Sequence, residues 1–183
     1  QKKTLSVLMM KDYDGTSDGK YQYIGDVCGT LRLDLNGKTF TNGKYPMLAA
    51  YTRTTYNTNT FEVVNGAVKL TSAGIFAIQT GSGGNGGVIN AKLADLNISY
   101  AEGGTAATPI VTTYPGTAGK VSSAKIELTD CNIDAYNNAP STVTLFKLSG
   151  DSSNNSATVT VKGGSITADS FARASLTLVT DAV

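Results

Sequence analysis

Apolar residues in this chain gather in short runs that alternate with polar ones at every second position. Little of the chain shows the recurrence of about 3.6 residues that marks a helix, so the pattern predicts strands. Five segments can be laid over one another: LRLDLNGKTFT (31–41), FEVVNGAVKL (61–70), AKLADLNISY (91–100), KIELTDCNIDA (125–135) and TVTVKGGSITA (158–168). In the last four the recurring apolar positions are Phe61, Val63 and Val68; Ala91, Leu93 and Ile98; Ile126, Leu128 and Ile133; Val159, Val161 and Ile166. The first segment carries one extra residue, which leaves its phase around Leu33 and Leu35 open.

Each segment has a turn residue at its centre: Asn36, Asn65, Asp95, Asp130 and Gly163, at successive spacings of 29, 30, 35 and 33 residues. Asn, Asp and Gly are the types that tolerate a left-handed backbone, which a sharp bend between two short strands requires. A second apolar run follows about a dozen residues later in every repeat: Met47 to Ala49, Ile75 to Ile78, Pro109 to Val111, Leu145 to Leu148 and Leu176 to Val179. The connecting stretches, such as GSGGNGG (81–87) and GDSSNNS (150–156), read as loops of variable length. A repeat of this size built from short strands and sharp turns predicts an all-β solenoid. Each repeat would be one coil, about five in number, with strands stacked roughly 4.8 Å apart. An antiparallel β-sandwich whose strands happen to align is the alternative.

The run Leu33-Asp34-Leu35-Asn36-Gly37-Lys38-Thr39-Phe40, with coils such as Val63-Val64-Asn65-Gly66-Ala67-Val68, resembles the right-handed parallel β-helix of pectate-lyase-like bacterial surface and secreted proteins. The resemblance spans residues 30–183. It implies a fold rather than an activity, because that superfamily includes lyases, glycosidases, adhesins and phage tailspikes. Polygalacturonase-type members carry an Asn-Thr-Asp segment, an Asp-Asp pair and a Gly-His-Gly segment, and this chain contains none of the three. Pectate-lyase-type members use an Arg or Lys base beside calcium-binding acids, whereas Arg32, Arg53 and Arg173 stand apart from clustered acids.

Composition narrows the picture further. Thr, Gly, Ser and Asn number 25, 20, 15 and 13 of 183 residues, charged residues are 16%, and there is no histidine or tryptophan. The absence of histidine removes Ser-His-Asp triads, Cys-His pairs and His-ligated zinc. A net charge of +1 with no basic cluster argues against nucleic acid as a partner, and no apolar run approaches a membrane span. A Thr/Ser/Asn/Gly surface poor in Lys and Glu suggests a secreted or cell-surface protein. Two cysteines about a hundred residues apart form neither a metal spacing nor a redox pair. Three coil steps would separate Cys28 from Cys131 by roughly 14 Å, while a disulfide needs Cα atoms within about 7 Å. Both thiols are therefore expected to be unpaired.

The outward position after the first apolar residue reads Glu62, Lys92, Glu127 and Thr160, a ladder of alternating charge along the column. Asp95 and Asp130 occupy equivalent turns of adjacent coils, near the separation of about 5 Å found between the carboxyl groups of a retaining glycosidase. They are candidate catalytic acids, with backbone acceptance in Asx-turns as the plainer role. Asp12, Asp14 and Asp18 bring three carboxylates to a Gly-bearing loop, and calcium is the one cofactor such a loop suggests. The EF-hand spacing and its final Glu are missing. Tyr100 and Tyr136 follow their turn aspartates by five and six residues and would share a face on which a sugar could stack. The stretch from Thr52 to Thr60 is rich in threonine but does not recur in later coils, as a flat ice-binding face would require. Asn97-Ile98-Ser99 and Asn154-Asn155-Ser156 are formal glycosylation sequons.

Residues 1–30 hold the strand Leu5 to Met10, which resembles the second run of a coil, so this segment is expected to be a cap or a partial coil. Residues 31–183 would form the coils, open at the C-terminal end. These readings favour a non-catalytic extracellular scaffold or adhesin that contacts polysaccharide or cell-surface glycan. The alternatives are a polysaccharide lyase or glycosidase of the same fold, and a filament or spike subunit that self-associates through open ends.

Overall fold

The computed structural model describes residues 3–17, 29–51, 58–79, 87–102, 108–114, 122–139, 143–149, 155–174 and 177–182. Sixteen strands follow one another: β1 (Lys3–Leu8), β2 (Tyr13–Asp14), β3 (Gly29–Asp34), β4 (Thr39–Thr41), β5 (Leu48–Tyr51), β6 (Thr58–Leu70), β7 (Phe76–Gln79) and β8 (Gly87–Tyr100), then β9 (Val111–Tyr114), β10 (Ser122–Thr129), β11 (Asn132–Asp134), β12 (Thr144–Leu148), β13 (Asn155–Lys162), β14 (Ser165–Thr167), β15 (Ser170–Ala174) and β16 (Thr177–Ala182). Every pairing among them is parallel, between elements one coil apart. The antiparallel sandwich is thereby excluded, and the chain is a parallel β-solenoid. No helix among the described residues is long and apolar enough to cross a membrane.

Three faces run along the column. The first stacks β1, β3, the leading half of β6, the leading half of β8, β10, β13 and β16. The second stacks β2, β4, the trailing halves of β6 and β8, β11 and β14. The third is a separate sheet in the order β15-β12-β9-β7-β5. Four coil-to-coil steps separate β3 from β13.

The corner between the first two faces is set by backbone conformation. Asn36, Asn65, Asp95 and Asp130 have φ of 54°, 60°, 53° and 49°, and Gly163 has 67°. All five expected turn positions are left-handed, a conformation that costs most L-residues about 1–2 kcal/mol and that Asn, Asp and Gly tolerate. Gly164, beside Gly163, is required for a second reason: with φ of 76° a Cβ there would overlap the carbonyl of Cys131 in the coil before it.

Interior side chains stack along the axis in columns. Leu31, Phe61, Ala91, Ile126 and Val159 form one on the first face, and Phe40, Val68, Ile98, Ile133 and Ile166 another on the second. Leu31, Phe61 and Ala91 have no exposure, and the large ring of Phe61 is accommodated because the residue stacked on it is the small Ala91. On the third face Phe76, Val111 and Phe146 alternate large and small in the same way. Asn42, only 1% exposed, stitches the corner between the second and third faces. Its Oδ1 accepts the Thr71 N–H at 2.8 Å, and its Nδ2 donates to the carbonyls of Ala73 and Gly74.

Three sequence expectations need correction. The first coil carries two extra residues at its corner, not one: residues 35–38 fill the space that 65–66 fill in the next coil. The run after Leu176 is not the second run of the fifth coil, since β16 pairs with β13 on the first face while β15 supplies the third. Likewise β1 pairs with β3, so the strand from Leu5 belongs to the first face of the column.

Candidate functional site

The expected charge ladder is present on the first face. Glu62, Lys92, Glu127 and Thr160 lie in register on successive coils, and the structure extends the ladder by one coil to Arg32. Glu62 bridges two neighbours, with its carboxylate 3.6 Å from Arg32 Nη1 and 3.5 Å from Lys92 Nζ, and Lys162 Nζ approaches Glu127 at 3.0 Å. These groups are one-fifth to one-half exposed, so each pair contributes at most about 1 kcal/mol and chiefly fixes register.

Asp95 and Asp130 stand at adjacent left-handed corners and are exposed. Among the described residues no Lys or Arg pairs with either. Their carboxylates act instead on Cys131, a free and buried thiol: burial first, and then these two charges, push its pKa up. Cys28 lies outside the described residues.

Asp12 and Asp14 each accept a backbone donor, Asp12 from the next coil and Asp14 from its own turn. Asp12 Oδ1 accepts the Thr39 N–H at 2.9 Å, and Asp14 Oδ1 accepts both the N–H and the hydroxyl of Thr16. The Thr16 backbone N–H, with its hydroxyl, holds the Asp14 carboxyl below the usual range. Asp18 lies outside the described residues. No group of three Cys, Asp or Glu converges at metal distance among those described.

The two tyrosines do not share a surface. Tyr100 is 2% exposed and its hydroxyl donates to the Thr108 carbonyl, so its ring belongs to the core, and burial raises its pKa. It was expected outside because counting from the turn ignores that position 100 stacks on the buried Leu70. Tyr136 is 64% exposed, in the turn that follows β11.

The second face carries a feature that the sequence reading missed. Two positions past each corner, Asn97, Asn132 and Ser165 stack in register, and four positions past it Ser99, Asp134 and Thr167 do the same. Ser165 Oγ donates to Asn132 Oδ1 at 3.0 Å, and Asn132 Nδ2 donates to Asn97 Oδ1 at 3.3 Å. The two columns border a groove of about 240 Å³ whose floor is Ile98 and Ile133. Asp134 lies in its wall, where Oδ1 accepts the N–H groups of Tyr136 (3.1 Å) and Asn137 (2.9 Å) while Oδ2 accepts Asn137 Nδ2 (2.8 Å). The Asn137 amide, and then the backbone donors, hold the Asp134 carboxyl below its usual range. The constant offset from the turn residues was the available signal, and it becomes meaningful only once the coil register is known.

A different cavity of about 410 Å³ lies beside β1 and β2, lined by Val7, Leu8, Met9, Met10, Tyr13, Leu33 and Phe40 among others. It is apolar, and Leu5, Leu8 and Met10 beside it are half or more exposed. Comparison with protein-family models, with curated proteins and with solved structures finds no match to this chain.

Proposed function

We infer that this chain is a non-catalytic, extracellular β-solenoid scaffold whose lateral surface contacts glycans. The observation that carries this reading is the employment of its carboxylates. Asp12, Asp14 and Asp134 accept backbone donors, while Asp95 and Asp130 occupy exposed corners with no cation paired to them among the described residues. Acid–base chemistry on a sugar needs a carboxyl free to exchange a proton with the reacting bond, beside a second group in reach of it. A rigid column faced with Thr, Ser and Asn suits display and adhesion, and the same composition supports an extracellular setting.

The test is incubation of the purified chain with a panel of soluble and insoluble polysaccharides. The reading expects retention on at least one insoluble polysaccharide, with no release of reducing ends or unsaturated sugars. Release of either product would overturn it in favour of a lyase or glycosidase.

A further inference from the structure

The groove on the second face deepens this reading, on which it rests. We propose that the groove between the Asn97-Asn132-Ser165 and Ser99-Asp134-Thr167 columns is a subsite for a neutral oligosaccharide lying along the solenoid axis, with Tyr136 as its stacking platform.

The hydrogen-bond polarity of the ladder is one ground. Donation runs in a single direction, from Ser165 to Asn132 to Asn97. The register partner of Asn97 in the preceding coil is Ala67, which has no polar side chain. The Nδ2 donors of Asn97 therefore end the ladder facing outward, beside the hydroxyl of Ser99 on the same face. Amide and hydroxyl groups repeat at about 4.8 Å along the axis, so an elongated polyhydroxylated chain meets a donor or acceptor at every coil.

Charge supplies the choice of neutral saccharide. Asp134 is the one ionised group in the groove wall, and three protein donors already occupy its carboxylate. Lys69 stands one coil outside the groove, in register with Ser99. The groove thus offers no cation of its own to an anionic chain.

Tyr136 is an independent pointer. Its ring is 64% exposed, with a flat apolar face and a polar tip open to solvent. Its backbone N–H donates to Asp134 Oδ1, so the residue follows the middle coil of the groove, at the edge where the second face ends. An amphipathic ring there offers the apolar face of a sugar a surface that the polar columns lack.

The experiment maps backbone amide shifts by NMR as short β-1,4-gluco-, α-1,4-gluco- and β-1,4-manno-oligosaccharides, and separately an oligogalacturonate, are added. The proposal expects at least one neutral probe to shift amides of 97–99, 132–137 and 165–167. Tyr136→Ala should weaken that binding about tenfold, Tyr136→Phe should preserve it, and Lys92→Gln on the first face should leave it unchanged. Tyr136→Ala removes an exposed ring and keeps the backbone bond to Asp134, and an unchanged amide spectrum elsewhere would certify its fold. Shifts confined to another face would overturn the groove assignment while leaving the scaffold reading intact. Preference for the oligogalacturonate, abolished by Lys69→Gln, would overturn the neutral assignment, and the absence of shifts with all three neutral probes would overturn the subsite. Cleavage of any probe would instead overturn the scaffold reading.

Discussion

The corner residue Asn65 allows the architecture to be tested by two substitutions that should behave oppositely to ordinary intuition. It sits within β6 with φ of 60°, its carbonyl accepts the Gly37 N–H at 2.8 Å, and its Nδ2 donates to Asp34 Oδ1 at 3.1 Å. Valine, a strong strand former, should fail here. Its branched Cβ would bear a left-handed strain of about 1–2 kcal/mol, and loss of the exposed bond to Asp34 adds about 0.5–1 kcal/mol. Asn65→Val should therefore destabilise the chain by about 1.5–3 kcal/mol in total. Asn65→Gly loses the same bond and adds chain entropy but relieves the backbone, so its cost should stay near about 1 kcal/mol. Urea unfolding followed by far-ultraviolet circular dichroism, with the slope unchanged between variants, measures both. A valine variant as stable as the glycine variant would refute the claim that backbone strain at this corner selects the residue.

Phe61→Ala should cost about 3–5 kcal/mol by the same unfolding measurement, because the ring is fully buried in a stacked column that cannot collapse around it. Glu62→Gln breaks both of its ion pairs at once and should cost no more than about 2 kcal/mol in low salt, with the difference fading as ionic strength rises. Stability should also fall in acid. The folded-state pKa values of Asp34 and Asp134 are depressed, the first chiefly by the Asn36 N–H and the second chiefly by the Asn137 amide. Their contribution is present above the unfolded value of about 3.9 and is lost as pH falls through the folded values. Unfolding midpoints measured from about pH 6 down to about pH 2 should therefore decline, and Asp134→Asn should flatten the decline.

The corner column was legible because its signal is local. A left-handed bend admits few residue types, so Asn36, Asn65, Asp95, Asp130 and Gly163 announce themselves without knowledge of neighbours. The stacked interior followed from it, since Phe61, Ala91, Ile126 and Val159 keep a fixed offset from their turns. The third face was harder, because loops of differing length precede it and spacing alone does not assign a run to a face. The apolar run after Leu176 was therefore assigned to the third face, although that place belongs to Ser170–Ala174, a strand without an aliphatic Val, Ile or Leu to announce it. Tyr100 misled for a related reason: a residue's side of the strand depends on what it stacks against, here Leu70, and not on its distance from a turn. The groove was invisible because no residue in it is unusual by itself. Asn97, Asn132 and Ser165 become a ladder only through a register that brings together positions 35 and 33 residues apart.

That register is the central claim, and inter-strand nuclear Overhauser contacts between backbone protons test it most directly. The parallel coil requires contacts between residues whose numbers differ by a constant: 30 between β6 and β8, as for Phe61 with Ala91, and 33 between β10 and β13, as for Ile126 with Val159. Contacts between residues whose numbers instead sum to a constant would indicate antiparallel pairing and would contradict the solenoid, and with it the ladder and the groove.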